Sequence, residues 1–355
     1  MSLEAGLTGY RNGRGRAAVL STAVLLGLAI LVGLLIGPVP VSVVQVLQAV
    51  AASGGLIDST GLGFEEKVIE SVRLPRVLLS AMSGAALGIS GAVMQGLFRN
   101  PLADPGLIGV SAGGALAAVS VIVLGTRIGL PELGGLTLPI AAFLGALIVT
   151  AVIYRISQVD GRVVISIMLL AGVAANALAG ALIGFLAFLS DEEQLRLLTF
   201  WSLGSVGGAN WQTSLPAMMV MLVATLCSLK LARALNALVL GEDDALHLGV
   251  AVGSLKRRAA LLTALAVGAA VSACGIIGFV GLVTPHLVRL IAGPDHRFVL
   301  PVSALAGAIL LTLADLLART VVIPAELPLG VVTAMIGAPF FLVLLLRHRR
   351  QGGVV

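Results

Sequence analysis

Arg73-Leu74-Pro75-Arg76, the apolar run at 77–98, and then Arg99-Asn100-Pro101-Leu102-Ala103-Asp104-Pro105 decide how this chain is read. Two arginines stand at one end of about 22 apolar, Gly- and Ala-rich residues. At about 1.5 Å per residue that run makes enough helix to cross a bilayer core of about 30 Å. An Asn-Pro turn closes the other end. The segment reads as a buried helix with polar groups at both membrane surfaces.

The rest of the chain has the same character. Of 355 residues, 58% are hydrophobic and 11% charged, with a mean hydropathy of +1.10. Soluble domains carry about 25% charged residues, so most of this surface faces something other than water. The class is an all-α polytopic membrane protein. Abundant Gly (44) and scarce aromatics (4%) suit helices packed through small residues. Cys227 and Cys274 lie in apolar runs without a pairing spacing and read as small buried hydrophobes. The net charge of +5 does not signal nucleic acid, because the basic residues fall at segment ends and do not form a face with aromatics. Arg11, Arg14 and Arg16 precede an apolar run at 17–36 that is longer than a signal peptide's core, so it reads as a retained first span.

Apolar runs bounded by charge, Pro or Gly predict ten spans, at 17–36, 74–98, 107–125, 136–154, 163–189, 212–232, 258–274, 277–292, 299–318 and 329–346. The eighth is the weakest, being short and broken by Thr284-Pro285-His286. The organisation is a tail at 1–16, a membrane domain at 17–347 containing a loop at 234–256, and a tail at 348–355. With both termini cytoplasmic, Arg99, Arg155, Arg162, Lys230, Arg233, Lys256-Arg257-Arg258, Arg289, Arg297 and Arg347-His348-Arg349-Arg350 all fall inside, which satisfies the positive-inside bias. Arg73, Arg76, Arg127, Arg196 and Arg319 are left outside, unexplained by topology.

An internal repeat is also visible. Arg73, Ser83-Gly84-Ala85-Ala86, Gly91 and Pro101 match Arg257, Val267-Gly268-Ala269-Ala270, Gly275 and Pro285, each 184 positions on. One copy starts outside and the other inside, the pattern of two inverted five-helix halves.

The chain has no G-x-x-x-x-G-K-[ST] phosphate loop and neither H-E-x-x-H nor paired Cys-x-x-Cys, so neither ATP nor zinc is expected on it. Asp315 is the main ionisable group within a span. Proton- or sodium-coupled carriers need intramembrane carboxylates or histidines, so the driving force is expected from outside the chain. The outer arginines suit bidentate capture of carboxylates on an acidic partner. The plainer alternatives are snorkelling anchors and an Asp315–Arg319 pair at i, i+4. Gly241-Glu242-Asp243-Asp244-Ala245-Leu246-His247-Leu248-Gly249 reads as a short helix with an acidic first turn, and docking of a cytoplasmic protein is preferred there over a metal site. Pro101, Pro105 and Pro285 break backbone near membrane depth, which requires protein or a water-filled cavity beside them; Asn100, Leu102 and the neighbourhood of Ser166 are candidate pore-lining positions. His286 reads as a turn residue. Trp201 and Trp211 read as interface anchors, with a steering role for an aromatic ligand as the alternative.

At these residues the sequence resembles the permease subunits of ABC importers for iron-siderophores, haem and vitamin B12. The likeness rests on Arg73-Leu74-Pro75-Arg76, on Gly91-Ala92-Val93-Met94-Gln95 through Pro105, on Gly278-Phe279-Val280-Gly281-Leu282-Val283-Thr284-Pro285-His286, on Asp295-His296-Arg297, and on Ala325-Glu326-Leu327-Pro328-Leu329-Gly330 with Gly337-Ala338-Pro339. It implies a homodimer in a bacterial inner membrane, with the pathway along its two-fold axis. It further implies two cytoplasmic ATPase subunits, which hold the ATP and Mg, and a periplasmic binding protein. Arg73, Arg76 and Arg319 match that protein's docking positions. Gly241, Glu242, Asp243, Ala245, Leu246, Leu248 and Gly249 match the coupling helix that enters the ATPase. Asn100 and Leu102, with Ile165 and Ser166, match the cytoplasmic gate, although Ile165 departs from the more polar residue of cobalamin permeases. The segment from Gln194-Leu195-Arg196 to Thr199-Phe200-Trp201-Ser202-Leu203-Gly204-Ser205 looks closer to haem and siderophore permeases, and haem is the expected cargo. The chain itself is then no enzyme and binds no cofactor. The rival expectations are a metal-dependent intramembrane enzyme built on Glu242, Asp243 and Asp244, and a secondary transporter.

Overall fold

The computed structural model describes residues 2–54, 63–125, 127–131 and 133–350. Each expected span is a helix: α1 (Ser2–Leu35), α4 (Leu74–Phe98), α5 (Val110–Leu124), α6 (Thr137–Ile156), α7 (Ile165–Leu189), α9 (Trp211–Leu229), α12 (Val252–Cys274), α13 (Val280–Ala292), α14 (His296–Thr320) and α15 (Leu329–Arg350). Among the described residues, seven helices are long and apolar enough to cross a membrane; α5, α13 and the Leu329–Val343 part of α15 are shorter apolar helices. Residues 2–16, expected as a tail, continue as helix into the first span. The far end of the C-terminal tail, 351–355, lies outside the described residues.

Short elements occupy the loops: α2 (Val43–Ser53), α3 (Phe64–Val68), α8 (Glu192–Leu203), α10 (Ala232–Leu238), α11 (Glu242–His247) and a two-stranded hairpin of β1 (Gln158–Val159) and β2 (Arg162–Val163). α2 opens with a capping box, Ser42 and Gln45 each satisfying the other's backbone N–H. α3 runs into α4 without a break through a π turn at Ile69–Arg73, where Leu74 N–H reaches back to Ile69 O. A π turn is one way a continuous helix accommodates the missing N–H of a proline, here Pro75 at the start of α4.

α4 is the axle of the bundle. Nearly every residue from Leu74 to Phe98 is buried, against α14, α12, α9 and α13. Its glycines set how closely the neighbours approach: a Cβ on Gly84 would lie 2.1 Å from Gly307 O, on Gly88 2.2 Å from Ser303 O, and on Gly91 1.7 Å from Gly281 O. Dispersion and backbone contact through small residues hold such bundles, since lipid offers helices no hydrophobic incentive to associate.

The halves are inverted. Successive contacts of α4 (Gly84, Gly88, Gly96) meet falling positions of α14 (Gly307, Ser303, His296), so these two run antiparallel. The same holds for α12 against α6: Gly268 meets Ala146 and Phe143, while Arg257 shares a groove with Tyr154. α4 ends beside Leu235, the face from which α12 begins. The repeat fails past mid-helix: Gly91 is interior to α4, whereas Gly275 ends α12 at φ 70°. α4 is the longer helix at that end, so a fixed offset cannot persist.

Candidate functional site

Polar chemistry gathers at the two opposite ends of the bundle. At the first end, Arg76 donates from Nε and Nη2 to Asp315 at 2.8–3.2 Å and from Nη1 and Nη2 to Glu326 at 2.8 and 3.0 Å. Asp315, only 1% exposed, also lies 3.9 Å from Arg319, so the i, i+4 pair is present. Arg319 donates to Gly33 O, and Arg73 donates to the carbonyls of Leu34 and Leu35, which end α1, and of Val39 just past it. The guanidiniums thus tie α1, α4 and α14 together.

The three arginines matched to docking positions are buried within this chain. Arg73, Arg76 and Arg319 are 3%, 8% and 6% exposed; Arg73 and Arg76 bond within the chain, and Arg319 does so through Nη2 while its buried Nε has no hydrogen-bond partner. Of the five arginines that topology left unexplained, the two exposed ones are those with no assigned role, Arg196 and Arg127, the latter bonded at 3.4 Å to Leu189 O. Glu326 is the accessible member of the cluster, its side chain 45% exposed. Hydrogen bonds from Arg76 hold its carboxyl below the ordinary Glu range. The pairing therefore contributes stability above the ordinary carboxylate range and loses it as pH falls through the lowered value.

Trp211 donates its indole N–H to Glu70 O at 2.8 Å, fastening α9 to the π turn. Trp201 lines a cleft of about 330 Å³ with Phe200, Leu197 and Gly275.

At the opposite end, Gly241 (φ 132°) and Gly249 (φ 81°) bracket α11, both in backbone conformations that side chains disfavour. Ala245 is fully buried and anchors the helix, while Leu246 and Leu248 are 53% and 63% exposed. Asp243 and Asp244 are also exposed. Glu242 pairs at 2.7 Å with Lys256, which is buried and also donates to Val163 O at 2.9 Å. Sequence reasoning missed Lys256: its place in a basic triplet masked a structural cation joining α11, α12 and the hairpin.

Asn100 and Leu102 follow α4 at this end, and Asn100 Oδ1 accepts from Leu102 N–H at 2.9 Å, closing the turn. Ile165 and Ser166 begin α7 at the same end. Asn100 and Ser166 are exposed; Leu102 and Ile165 are half-buried. The 105–108 turn packs on α7 about two to three turns deeper, through Leu107 O against Gly172 and Asn176 donating to Gly106 O. The Asp295-His296-Arg297 motif finds a structural role. Asp295 caps α14 and pairs with Arg297 at 2.7 Å, and Asn236 bridges Asp295 and the His296 ring. Burial pushes the Asp295 carboxyl up, but its bonds from Arg297 and Asn236 outweigh this and hold it at about 2. His286 lies inside α13, edge-on to Phe340 at 6.5 Å. Among the described residues, no three His, Cys, Asp or Glu side chains gather as metal ligands.

Comparison with known proteins bears on this geometry. The profile of the FecCD transport family matches residues 25–347. The chain is 49% identical over 282 residues to the hemin transport system permease protein HmuU of Yersinia pestis, covering 79% of this chain and 84% of that one. It is 45% identical over 278 residues to the cobalamin import system permease protein BtuC of Halobacterium salinarum, covering 78% and 73%. A structure described as an inward-facing metal-chelate type ABC transporter superposes with a TM-score of 0.80 at 34% identity, covering 93% of this chain and 98% of that one.

Proposed function

The chain belongs to the FecCD transport family, and on that premise we propose that it is the membrane-spanning subunit of an ATP-driven importer whose cargo is haem. Its relatives are transport permeases, not enzymes. The observation that carries the reading is the separation of roles along the bundle. One end presents α11, with apolar Leu246 and Leu248 exposed beside carboxylates; the other ends in a charged cluster; the body between has almost no free charge. The sequence carries no G-x-x-x-x-G-K-[ST] phosphate loop, which supports a driving force supplied by ATP-binding partners.

In this mechanism two copies flank the pathway, and two ATP-binding subunits receive one α11 each. Closure of the ATP-binding subunits moves α11, and the Glu242–Lys256 pair passes that motion to α12 and the hairpin before α7. Asn100, Leu102, Ile165 and Ser166 lie where this movement opens or closes the inner mouth. At the other end, a binding protein's carboxylate exchanges with Glu326 for Arg76, since Glu326 is the solvent-facing half of that pair. Replacing Leu246 and Leu248 by Asp is expected to lower binding-protein-stimulated ATP hydrolysis at least about tenfold while the permease stays folded, because two apolar anchors of about 1.5–3 kcal/mol each lose their burial. Normal stimulation in that variant overturns the coupling role.

Haem as cargo is supported by the likeness to the hemin permease, and cobalamin is the second reading on the strength of the Halobacterium relative. Copurifying the complex with its binding protein and recording the absorption spectrum separates them. A Soret band supports haem; a corrinoid spectrum, or a siderophore charge-transfer band, replaces it.

A further inference from the structure

Between α6 and α12, at the end of the bundle that carries α11, lies a groove of about 390 Å³. Its walls are apolar, from Leu147, Ala151, Leu261 and Ala264, and the stems of two arginines border it, Arg155 on the last turn of α6 and Arg257 near the start of α12. Both arginines are exposed, and neither takes part in an ion pair or side-chain hydrogen bond among the described residues. Their neighbour Lys256 is by contrast wholly committed, to Glu242 and Val163. From Arg155 to Leu147 the helix descends about 12 Å, most of one leaflet's hydrocarbon depth of about 15 Å.

The positive-inside bias explains why basic residues collect at this end. It does not explain why two of them, from helices a hundred residues apart, line one apolar groove without a carboxylate partner. A doubly basic mouth over an apolar trough at membrane depth is complementary to a molecule with an anionic head and hydrocarbon chains. We propose that the α6–α12 groove is a binding site for an anionic phospholipid, with the phosphate between Arg155 and Arg257 and an acyl chain along Leu147, Ala151, Leu261 and Ala264. Basic pockets between spanning helices are the usual way such headgroups are held. A lipid seated here braces the first turns of α12, next to the residue that carries α11.

The test is native mass spectrometry of the full-length chain, loaded in mixed micelles with equal phosphatidylglycerol and phosphatidylcholine. The expected result is selective retention of phosphatidylglycerol by the natural chain. In R155Q/R257Q this retention falls about 30-fold, the equivalent of roughly 1 kcal/mol for each cation lost. The neighbouring exposed Arg258 does not line the groove, and R258Q is expected to retain lipid normally. Equal retention of both lipids by the natural chain overturns the proposal without any variant. Undiminished phosphatidylglycerol in R155Q/R257Q overturns it as well. So does a double variant whose lipid is unchanged while its dimer dissociates, which assigns the groove to a second copy. The proposal is independent of the cargo and of the coupling reading.

Discussion

Asp315→Ala is expected to be the most damaging single substitution at the charged end of the bundle, more so than Arg76→Ala. Asp315 is the fully buried carboxylate among three buried guanidiniums, bonded to Arg76 and 3.9 Å from Arg319. Its removal leaves like charges facing one another in a low-dielectric site, with only the half-exposed Glu326 to offset them. Breaking a buried ion pair in this way typically costs about 3–5 kcal/mol. Removing Arg76 instead leaves Asp315 a second cation within reach, Arg319, which can close the remaining gap. The two losses should therefore be unequal and coupled, with R76A/D315A costing less than the sum of the single variants. Unfolding midpoints in detergent measure all three. A D315A protein as stable as the natural chain, or an R76A protein less stable than D315A, defeats this account. The same series separates bracing from docking: R76A/E326Q keeps the Asp315–Arg319 pair and should remain folded, so any loss of binding-protein stimulation in it belongs to the contact itself.

The positions of the spans were legible in the sequence because bilayer thickness imposes a length and an apolarity that few other structures share. Even 277–292, interrupted by Thr284-Pro285-His286, forms a helix, shortened to start at Val280 because Phe279 takes a left-handed conformation (φ 66°). Of the short elements α11 was legible and the others escaped, although Ser42-Val43-Val44-Gln45 carried a capping-box signal for α2. The ends of the bundle were legible only in part. That Arg73, Arg76 and Arg319 cluster was visible from their shared membrane face. That they would be buried was not, because what satisfies them is the backbone of residues 33–39 and a carboxylate 239 positions from Arg76. Carbonyl groups leave no mark in a sequence, so a satisfied arginine and a free one look alike there. Lys256 posed the same difficulty at the other end.

Gly91→Ala is expected to unfold or seriously distort the centre of the molecule, an outcome out of proportion to one methyl group. The added Cβ would sit 1.7 Å from Gly281 O, about half a van der Waals separation, and the obstacle is backbone rather than a side chain that can turn aside. α4 and α13 must therefore part. Overpacking of a well-packed core costs about 1–3 kcal/mol and sometimes more, and here separation also forfeits the contacts on either side of the crossing. Gly84→Ala, facing Gly307 O at 2.1 Å, should behave alike through α14. The contrast is α7, where a Cβ on Gly180 or Gly184 meets nothing within 4 Å. There Gly→Ala should be neutral or stabilise by about 0.5–1 kcal/mol, since alanine is the better helix former. Unfolding midpoints of the four variants decide the matter. If Gly91→Ala and Gly180→Ala shift the midpoint equally, close backbone packing around α4 does not hold the bundle together.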